Sequence, residues 1–178
     1  PMRHVSLITT GGTIEKTYDD TTGELSNRRS VVRRMLRRLR LEDTTVSIIE
    51  LLSKDSLHMT DDDRTRIVEA CRAAGAERAD PHASPGRCVI ILHGTDTLSV
   101  TGERLCRELT NLHVPVVLTG AMRPFEMSRS DALQNLTEAI FAGGVLSPGV
   151  YCSVHGRVMK FPGVSKDRER RTFVGPRA

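Results

Sequence analysis

The 178-residue chain contains no apolar stretch that approaches the length of a membrane-spanning helix, and residues 1–10 show no charged segment followed by an apolar core. These absences argue against a membrane partner and a secretory leader, so we expect a cytoplasmic protein. Internal repeats and low-complexity tracts are also missing. Since the length suits one domain with a substantial core, we expect residues 1–178 to form a single domain.

Disulfide and metal-site signatures are missing as well. The six histidines show no metal-ligand spacing, and the cysteines show no Cys-x-x-Cys spacing. There are four cysteines, each within an apolar-periodic segment: Cys71, Cys88, Cys106 and Cys152. We therefore expect buried, reduced thiols and no metal ion.

The net charge of +4 comes partly from a run of arginines between positions 28 and 40. Such a run is a candidate nucleic-acid surface, but it contains no aromatic residue for base stacking and no known reader motif. Val32, Met35, Leu36 and Leu39 recur at helical spacing in the same segment. The pattern therefore predicts an amphipathic helix with a solvated arginine face, and no nucleic-acid partner.

Apolar runs typical of strands alternate with helical patterns along the chain. Strands are predicted at 4–9, 45–50, 88–92, 115–119 and 149–154, and helices at about 30–40, 61–79, 101–111 and 130–142. Thr60 is the expected cap of the second helix, Gly143-Gly144 should close the fourth, and 80–86 is the clearest loop. The alternation predicts an α/β fold, a three-layer, open, mostly parallel sheet with helices on both faces.

Thr10-Gly11-Gly12-Thr13-Ile14 directly follows the first predicted strand. Two consecutive glycines permit a sharp turn, which would lift the Thr13 hydroxyl off the sheet edge. A threonine hydroxyl is a poor nucleophile unless a base and oxyanion donors lie beside it. Thr13 is therefore either a nucleophile with partners elsewhere in the chain or a residue that caps a local turn.

His93-Gly94-Thr95-Asp96-Thr97 follows the third predicted strand in the same way. Ligands bind at the carboxyl ends of strands in open α/β sheets, so the two loops can converge on one small molecule. The Asp96 carboxylate can hold an ammonium group, and the Thr95 hydroxyl can pass protons or attack a carbonyl. The alternative is that Thr95 or Asp96 caps a helix that starts near Thr101, and we interpret His93 as positioning the turn.

The pairing of these two motifs resembles the bacterial L-asparaginases. Further support comes from Leu118 to Pro124, followed by Ser130-Asp131 and Asn135-Leu136, which is similar to the family's third signature. The match runs from residue 5 to about 173 and corresponds to a short form, equivalent to the amino-terminal catalytic domain alone. Whether the chain is naturally short or is cut from a longer one stays open. The resemblance implies hydrolysis of L-asparagine to L-aspartate and ammonia by a homo-oligomer without a cofactor.

The resemblance also implies roles for individual residues. By position, Thr13 corresponds to the nucleophile and Thr95 to the second catalytic threonine. Asp96 matches the carboxylate that binds the substrate α-amino group, and Ala121 matches a position that lines the carboxamide pocket. Tyr18 is similar to the lid tyrosine that orients Thr13.

Residues 15–29 contain almost no apolar position, and we expect them to form a mobile lid over the site. Tyr18 favours this interpretation, because it is one of only two tyrosines and lies among charged residues. An exposed loop tyrosine without a role is the alternative.

Ser53 matches the family's serine that contacts the substrate α-carboxylate. Many long members carry glutamine directly after that serine, whereas this chain has Lys54. Lys54 would place a cation near a bound carboxylate, which would either strengthen carboxylate binding or tighten the preference for small substrates. Pairing of Lys54 with Asp55 at the surface is the alternative, and it would contribute little to stability.

Two lysines compete for the role of catalytic base. The family places this lysine after a strand and a Gly-Arg pair, here Gly156-Arg157, and both Lys160 and Lys166 follow that pair. The surroundings of Lys166 are closer to the family pattern, so Lys166 is predicted to lie beside Thr95 and Asp96.

Other functions stay open at this point. The same fold can serve an amidase for glutamine, for D-asparagine or for an amide on a larger molecule. A non-catalytic module that senses asparagine or aspartate would keep Asp96 and Ser53 without turnover. A pure binder, however, has no need of paired hydroxyls with a base.

Overall fold

The structure is a computed structural model that describes residues 2–80 and 85–176. In the predicted loop at 80–86, residues 81–84 lie outside the described residues. In chain order the elements are β1 (Arg3–Gly11), β2 (Thr17–Asp19), β3 (Glu24–Ser26), α1 (Val32–Leu36), β4 (Thr44–Lys54), α2 (Asp61–Ala73), β5 (Cys88–Leu92), α3 (Leu98–Glu108), β6 (Pro115–Thr119), α4 (Ala132–Val145), β7 (Gly149–Val154), β8 (Arg157–Lys160), β9 (Ser165–Asp167) and β10 (Thr172–Val174). Two short 3-10 turns lie at Thr13–Glu15 and Ser56–His58.

The main sheet has the strand order β4-β1-β5-β6-β7-β8. Its strands run parallel except for β8, which pairs with β7 in the antiparallel direction. β5 and β6 are buried along their whole length, which explains their continuous apolar sequences. Because β1, β5 and β6 are neighbours, the loops at their carboxyl ends lie side by side.

Each face of the sheet carries its own apolar core. Ile91 and Leu118 pack on one face in a core that includes residues of α2 and α3. Ile90 and Val117 pack on the other face in a core with residues of α1 and α4. This alternation of neighbouring side chains confirms the predicted α/β fold with helices on both faces of a mostly parallel sheet.

One helix cap agrees with the sequence prediction, and one helix end departs from it. Thr60 caps α2 as predicted, since its hydroxyl accepts from the Asp63 N–H at 3.2 Å and the Asp63 carboxylate accepts from the Thr60 N–H at 3.0 Å. Gly143-Gly144 does not end α4, which continues to Val145. A Cβ on Gly143 would lie 2.6 Å from the Cys88 sulfur, so this glycine lets the helix approach β5 closely.

The start of α3 also removes one alternative for the second motif. The helix begins at Leu98, with Thr97 at its cap position and without a capping side chain. Thr95 and Asp96 therefore do not cap it, and their side chains remain available for other contacts.

Within the described residues, no helix combines the length and the hydropathy that a bilayer crossing requires.

Candidate active site

The Gly11-Gly12 turn is wedged between two neighbouring loops. Both glycines have positive φ angles, +94° and +77°. A Cβ on Gly11 would lie 2.5 Å from the Lys54 backbone nitrogen, and one on Gly12 would lie 2.4 Å from the Gly94 Cα. Only glycine therefore fits at these two positions. Thr13 follows at the start of a 3-10 turn, and its hydroxyl makes no hydrogen bond to any residue that the structure describes.

His93 fixes the loop after β5. Its ring is fully buried and donates from Nδ1 to the Gly94 carbonyl oxygen at 2.8 Å, while Nε2 accepts from the Thr101 hydroxyl at 2.8 Å. Burial lowers the pKa of His93 to about 4, which keeps the ring neutral at physiological pH. His93 therefore positions the turn, in agreement with its interpretation from the sequence.

Lys166 reaches this loop from the β9-β10 hairpin. Its Nζ atom donates to the Thr95 hydroxyl at 2.8 Å and to the Asp96 carboxylate at 2.9 Å. The Lys166 side chain is 16% exposed, and Thr95 is buried. The hydrogen bond from Lys166, above all, lowers the pKa of the Asp96 carboxyl. The structure thus brings together three of the predicted site residues from segments about seventy positions apart.

Lys160 lies elsewhere. It belongs to the edge strand β8, and its ammonium group lies 5.8 Å from the centre of the Tyr151 ring. Of the two candidate lysines, only Lys166 therefore contacts Thr95.

The third loop, after β6, closes the same end of the sheet. Ala121 is buried, and the next two backbone N–H groups, of Met122 and Arg123, donate to the Asp131 carboxylate at 3.0 and 3.1 Å. A Cβ on Gly120 would lie 2.3 Å from the His93 carbonyl oxygen. The loop that holds Ala121 is therefore packed directly against the loop that holds Thr95.

His155 connects this third loop to the hairpin that carries Lys166. Its Nε2 atom lies 2.7 Å from the Asp131 carboxylate, and its Nδ1 atom lies 3.0 Å from the Thr172 hydroxyl on β10. Burial raises the pKa of the Asp131 carboxyl group. The hydrogen bonds that this group makes with the Met122 N–H and the His155 ring lower its pKa by more, so the pKa lies below its ordinary value. Sequence reasoning assigned no role to His155, because its partners are distant in the chain.

Ser53 and Lys54 occupy the end of β4, which extends four residues beyond the predicted strand 45–50. Ser53 is exposed, and both residues line a cavity of about 480 Å³ beside the β2-β3 hairpin. Lys54 donates to both oxygens of Asp63, at 2.8 and 3.0 Å. The alternative pairing of Lys54 with Asp55 is wrong, since Asp55 accepts from Lys16 at 2.7 Å.

Ser56, just beyond β4, contacts the second motif, and no role was assigned to it from the sequence. It is 1% exposed, and its hydroxyl oxygen accepts from the Thr97 N–H at 3.3 Å. The Thr97 hydroxyl donates in turn to the Ser56 carbonyl oxygen at 2.9 Å. Because β4 extends to Lys54, Ser53 still belongs to the strand, and the turn that follows begins only at Ser56. Ser56 rather than Ser53 therefore contacts the second motif.

Tyr18 lies on β2, which forms an antiparallel hairpin with β3 inside the predicted lid 15–29. Its side chain is 59% exposed, and a Cβ on Gly23 would lie 4.0 Å from its hydroxyl. The hairpin is anchored by Asn27, which donates to the Gly12 carbonyl oxygen at 2.8 Å. The tyrosine therefore points along the hairpin here, and its role in orienting Thr13 stays a prediction.

The arginine-rich segment is shorter as a helix than predicted. α1 covers only Val32–Leu36, and 3-10 type hydrogen bonds continue the chain to Leu39. The Arg34 and Arg38 guanidinium groups lie 5.8 and 5.7 Å from the centre of the Phe125 ring. Part of the basic run is thus engaged in contacts with its own chain.

Comparison with known proteins places this geometry in one family. The family described as asparaginase, N-terminal, matches residues 4–173. L-asparaginase 1 of Escherichia coli K12 is 33% identical over 144 residues, which cover 78% of this chain and 40% of that protein. A glutamyl-tRNA(Gln) amidotransferase component of Thermoplasma acidophilum is 32% identical over 142 residues, which cover 79% of this chain and 33% of that protein.

Structural comparison gives the same answer. The thermostable L-asparaginase from Thermococcus kodakarensis superposes with a TM-score of 0.82 at 27% identity, covering 97% of this chain and 51% of that one. The chain therefore spans about half of the length of that structure and a smaller share of the two relatives above. The family match, which extends over nearly all of the chain, shows that it belongs to the asparaginase family and corresponds to the N-terminal part of these proteins.

Proposed function

We propose that this protein is an amidohydrolase that converts L-asparagine to L-aspartate and ammonia, with Thr13 as nucleophile. The observation that carries the proposal is the contact of Lys166 with both Thr95 and Asp96. This arrangement supplies a hydroxyl, an amine and a carboxylate at one point, beside a turn that presents a free hydroxyl. A weak nucleophile such as a threonine hydroxyl is activated by an adjacent base that a third group holds in place, and these three side chains can supply both.

In the proposed reaction, the Thr13 hydroxyl oxygen attacks the side-chain amide carbon and forms a covalent acyl-enzyme. The leaving nitrogen takes up a proton and departs as ammonia, and water then cleaves the ester to release aspartate. Lys166, in its neutral form, acts through Thr95 as the base that accepts and returns the proton. Backbone N–H groups near Thr95 and just after the Gly11-Gly12 turn stabilise the developing oxyanion. The N–H groups of Gly11 and Gly12 themselves are bound to the Glu15 carboxyl group and to the Lys54 carbonyl oxygen.

Substrate binding in this proposal uses the groups around the nucleophile. Asp96 binds the α-ammonium group, and its second carboxylate oxygen makes no hydrogen bond within the described residues. Ala121 lines the carboxamide pocket, while Ser53 and Lys54 bind the α-carboxylate end. Ser56 joins them, because its buried hydroxyl lies against the second motif.

An amidase that releases ammonia for a partner protein is the second candidate. The similarity to an amidotransferase component favours it specifically, because that relative carries the same level of identity as the E. coli enzyme. Glutamine would then be the expected amide. A non-catalytic sensor of asparagine is the remaining alternative.

The test is ammonia release from L-asparagine, D-asparagine and L-glutamine, measured for the parent and for Thr13→Ala. We expect turnover of L-asparagine by the parent and a loss of at least about 10³-fold in the variant. Preferred turnover of L-glutamine would support the second candidate instead. If no amide is hydrolysed by the folded parent, the amidohydrolase proposal is wrong.

Lys166→Met and Lys160→Met form a matched pair in the same assay. Loss of the base should lower kcat by about 10²- to 10⁴-fold in Lys166→Met, whereas Lys160→Met keeps parental activity. Equal activity of the two variants would reject a catalytic lysine in this region.

We further propose a cytoplasmic, homo-oligomeric protein whose residues 1–178 act as one catalytic domain. The four cysteines, all within the described residues, are free thiols, which suits a reducing compartment.

A further inference from the structure

The β9-β10 hairpin, which carries Lys166, is not part of the main sheet. Within the residues that the structure describes, its two strands pair only with each other. It contacts the loop after β5 through side chains, since Lys166 and Arg168 both donate to Asp96 Oδ1 at 2.9 Å. No ladder of backbone hydrogen bonds therefore fixes the position of Lys166, and the side chains around the hairpin have to do so.

The turn between β7 and β8 supplies two contacts to this hairpin. His155 Nδ1 lies 3.0 Å from the Thr172 hydroxyl oxygen on β10. The Arg157 guanidinium donates to the carbonyl oxygen of the next residue, Phe173. Phe173 is fully buried and lies directly opposite Lys166 in the hairpin. The turn thus holds β10 at the point where the hairpin presents the lysine.

The other side of the His155 ring is bound to a fixed anchor. Its Nε2 atom donates to the Asp131 carboxylate at 2.7 Å, and the Asp131 side chain is only 15% exposed. The same carboxylate accepts from the Met122 N–H at 3.0 Å and from the Asn135 side chain at 3.1 Å. Asn135 Oδ1 in turn accepts from the His155 N–H at 3.1 Å. The ring therefore connects the hairpin to a network that also holds the loop after β6.

His155 has a backbone conformation that other residue types adopt more readily. Val154 pairs with Arg157, so the turn has two residues, and φ is +53° at His155 and +76° at Gly156. Positive φ at both positions is the type I′ geometry, which prefers Asn-Gly or Gly-Gly. A histidine in the first position costs backbone strain, and the two hydrogen bonds of its ring offset this cost.

We propose that His155 is a positioning residue for the reaction, which holds the hairpin so that Lys166 stays within hydrogen-bond distance of Thr95. The distance from Lys166 Nζ to the Thr95 hydroxyl is 2.8 Å, as proton transfer requires. Within the described residues, His155 makes no hydrogen bond with Lys166 or Thr95, so it acts through the hairpin alone. The inference rests on the proposed function, because it takes Lys166 as the base.

The experiment removes the bridge from either side, with His155→Gly and Thr172→Val. Glycine adopts a positive φ without strain and suits the turn, and valine is favourable in a strand, so both variants should fold. Since a displacement of about 1 Å can cost about 10²-fold in rate, we expect each variant to lower kcat for L-asparagine by about 5- to 50-fold. The double variant should have the kcat of the poorer single variant, because both substitutions remove the same contact.

Thr137→Val is the matched control for Thr172→Val. The exposed Thr137 hydroxyl donates to the Leu133 carbonyl oxygen within α4, so its loss removes a hydroxyl without affecting the hairpin. The kcat value of this variant should stay at the parental level. Parental kcat in either His155→Gly or Thr172→Val would overturn the inference.

A second comparison separates positioning of the base from a general loss of structure. The effect of Thr172→Val on kcat is measured in the parent and in Lys166→Met, because a residue that acts through Lys166 has nothing left to position once the amine is gone. We expect no further loss of kcat in the Lys166→Met background. The KM for L-asparagine should change by less than about threefold in Thr172→Val, since the groups proposed to bind the substrate lie outside the hairpin. The same fold loss of kcat in both backgrounds would overturn the inference.

A failure of the proposed function gives a different result. If the folded parent hydrolyses no amide, backbone hydrogen exchange is measured by mass spectrometry for the parent, His155→Gly, Thr172→Val and Thr137→Val. Faster exchange confined to residues 163–174 in the first two variants supports the role of His155 in holding the hairpin without turnover. Unchanged exchange there, or a uniform increase over the whole chain, overturns it.

Discussion

Glu15 is a buried acid directly behind the proposed nucleophile. It is 2% exposed, and its carboxyl group accepts from the Gly11 N–H at 3.0 Å and from the Ser30 hydroxyl. Burial raises the pKa of Glu15, and the hydrogen bonds from Ser30 and Gly11 offset this only in part. The folded state therefore binds this proton more tightly than the unfolded chain does.

Glu15→Gln should consequently stabilise the protein in a pH-dependent way. The parent loses free energy of unfolding as the pH rises from below the ordinary glutamate pKa of about 4.3 through the raised value in the folded state. Glutamine can keep both hydrogen bonds and does not ionise, so the advantage of the variant should be small at pH 4 and larger at pH 7. Urea unfolding at the two pH values measures it.

Glu24→Gln is the control for this measurement, since Glu24 is an exposed residue on β3 of the same lid. It removes an ionisable carboxylate at a solvent-exposed position. A Glu15→Gln effect that is no larger at pH 7 than at pH 4 would show that burial does not disfavour the ionised form.

At the scale of elements, the turn after β1 depends on contact as well as on backbone conformation. Gly12 and Gly156 have nearly the same φ, +77° and +76°, but a Cβ on Gly156 would meet nothing within 4 Å. Gly156→Ala should therefore cost only the left-handed strain of about 1–2 kcal/mol. Gly12→Ala should cost clearly more, because its Cβ would lie 2.4 Å from the Gly94 Cα.

Equilibrium unfolding of the two alanine variants measures this difference. If the proposed function is correct, we also expect Gly12→Ala to lose the proposed amidohydrolase activity, since the Cβ would push the turn that carries Thr13 away from the loop at Gly94. Equal destabilisation by both substitutions would show that the close approach of the two loops does not constrain position 12.

Prediction of elements succeeded where all side chains of a segment share one environment. The continuous apolar runs predicted β5 and β6 with their observed bounds, since both strands are buried on both faces. β4 was predicted too short because an edge strand mixes exposed and half-buried positions up to Lys54. Five strands were missed, because strands of three or four residues carry too few side chains to show a period: β2, β3, β8, β9 and β10.

At the scale of the whole molecule, an apolar patch at the end of α4 bears on assembly. Phe141 and Val145 lie one turn apart and are 64% and 66% exposed, and Val158 on β8 is 43% exposed. These side chains line a cavity of about 260 Å³. Exposed apolar surface of this kind favours association.

We therefore expect light scattering to give a mass that is a multiple of 19.7 kDa. Phe141→Lys should shift the population toward the monomer. Val100→Lys on α3, where Val100 is 54% exposed, provides the control and should leave the mass unchanged. A monomer at all protein concentrations would contradict the predicted homo-oligomer.

The sequence alone determined the α/β fold, the positions of the central strands and the loops that carry Thr13, Thr95 and Asp96. These features follow from local properties, namely apolar runs, glycine turns and the rule that ligands meet the carboxyl ends of parallel strands. Only the tertiary structure decided that Lys166 rather than Lys160 contacts Thr95, that Ser56 lies against the second motif, and that Arg168 shares Asp96. Each of these contacts joins segments distant in the chain. The packing of the β9-β10 hairpin and of the turn after β4 against the second motif therefore fixes them, and no local pattern does.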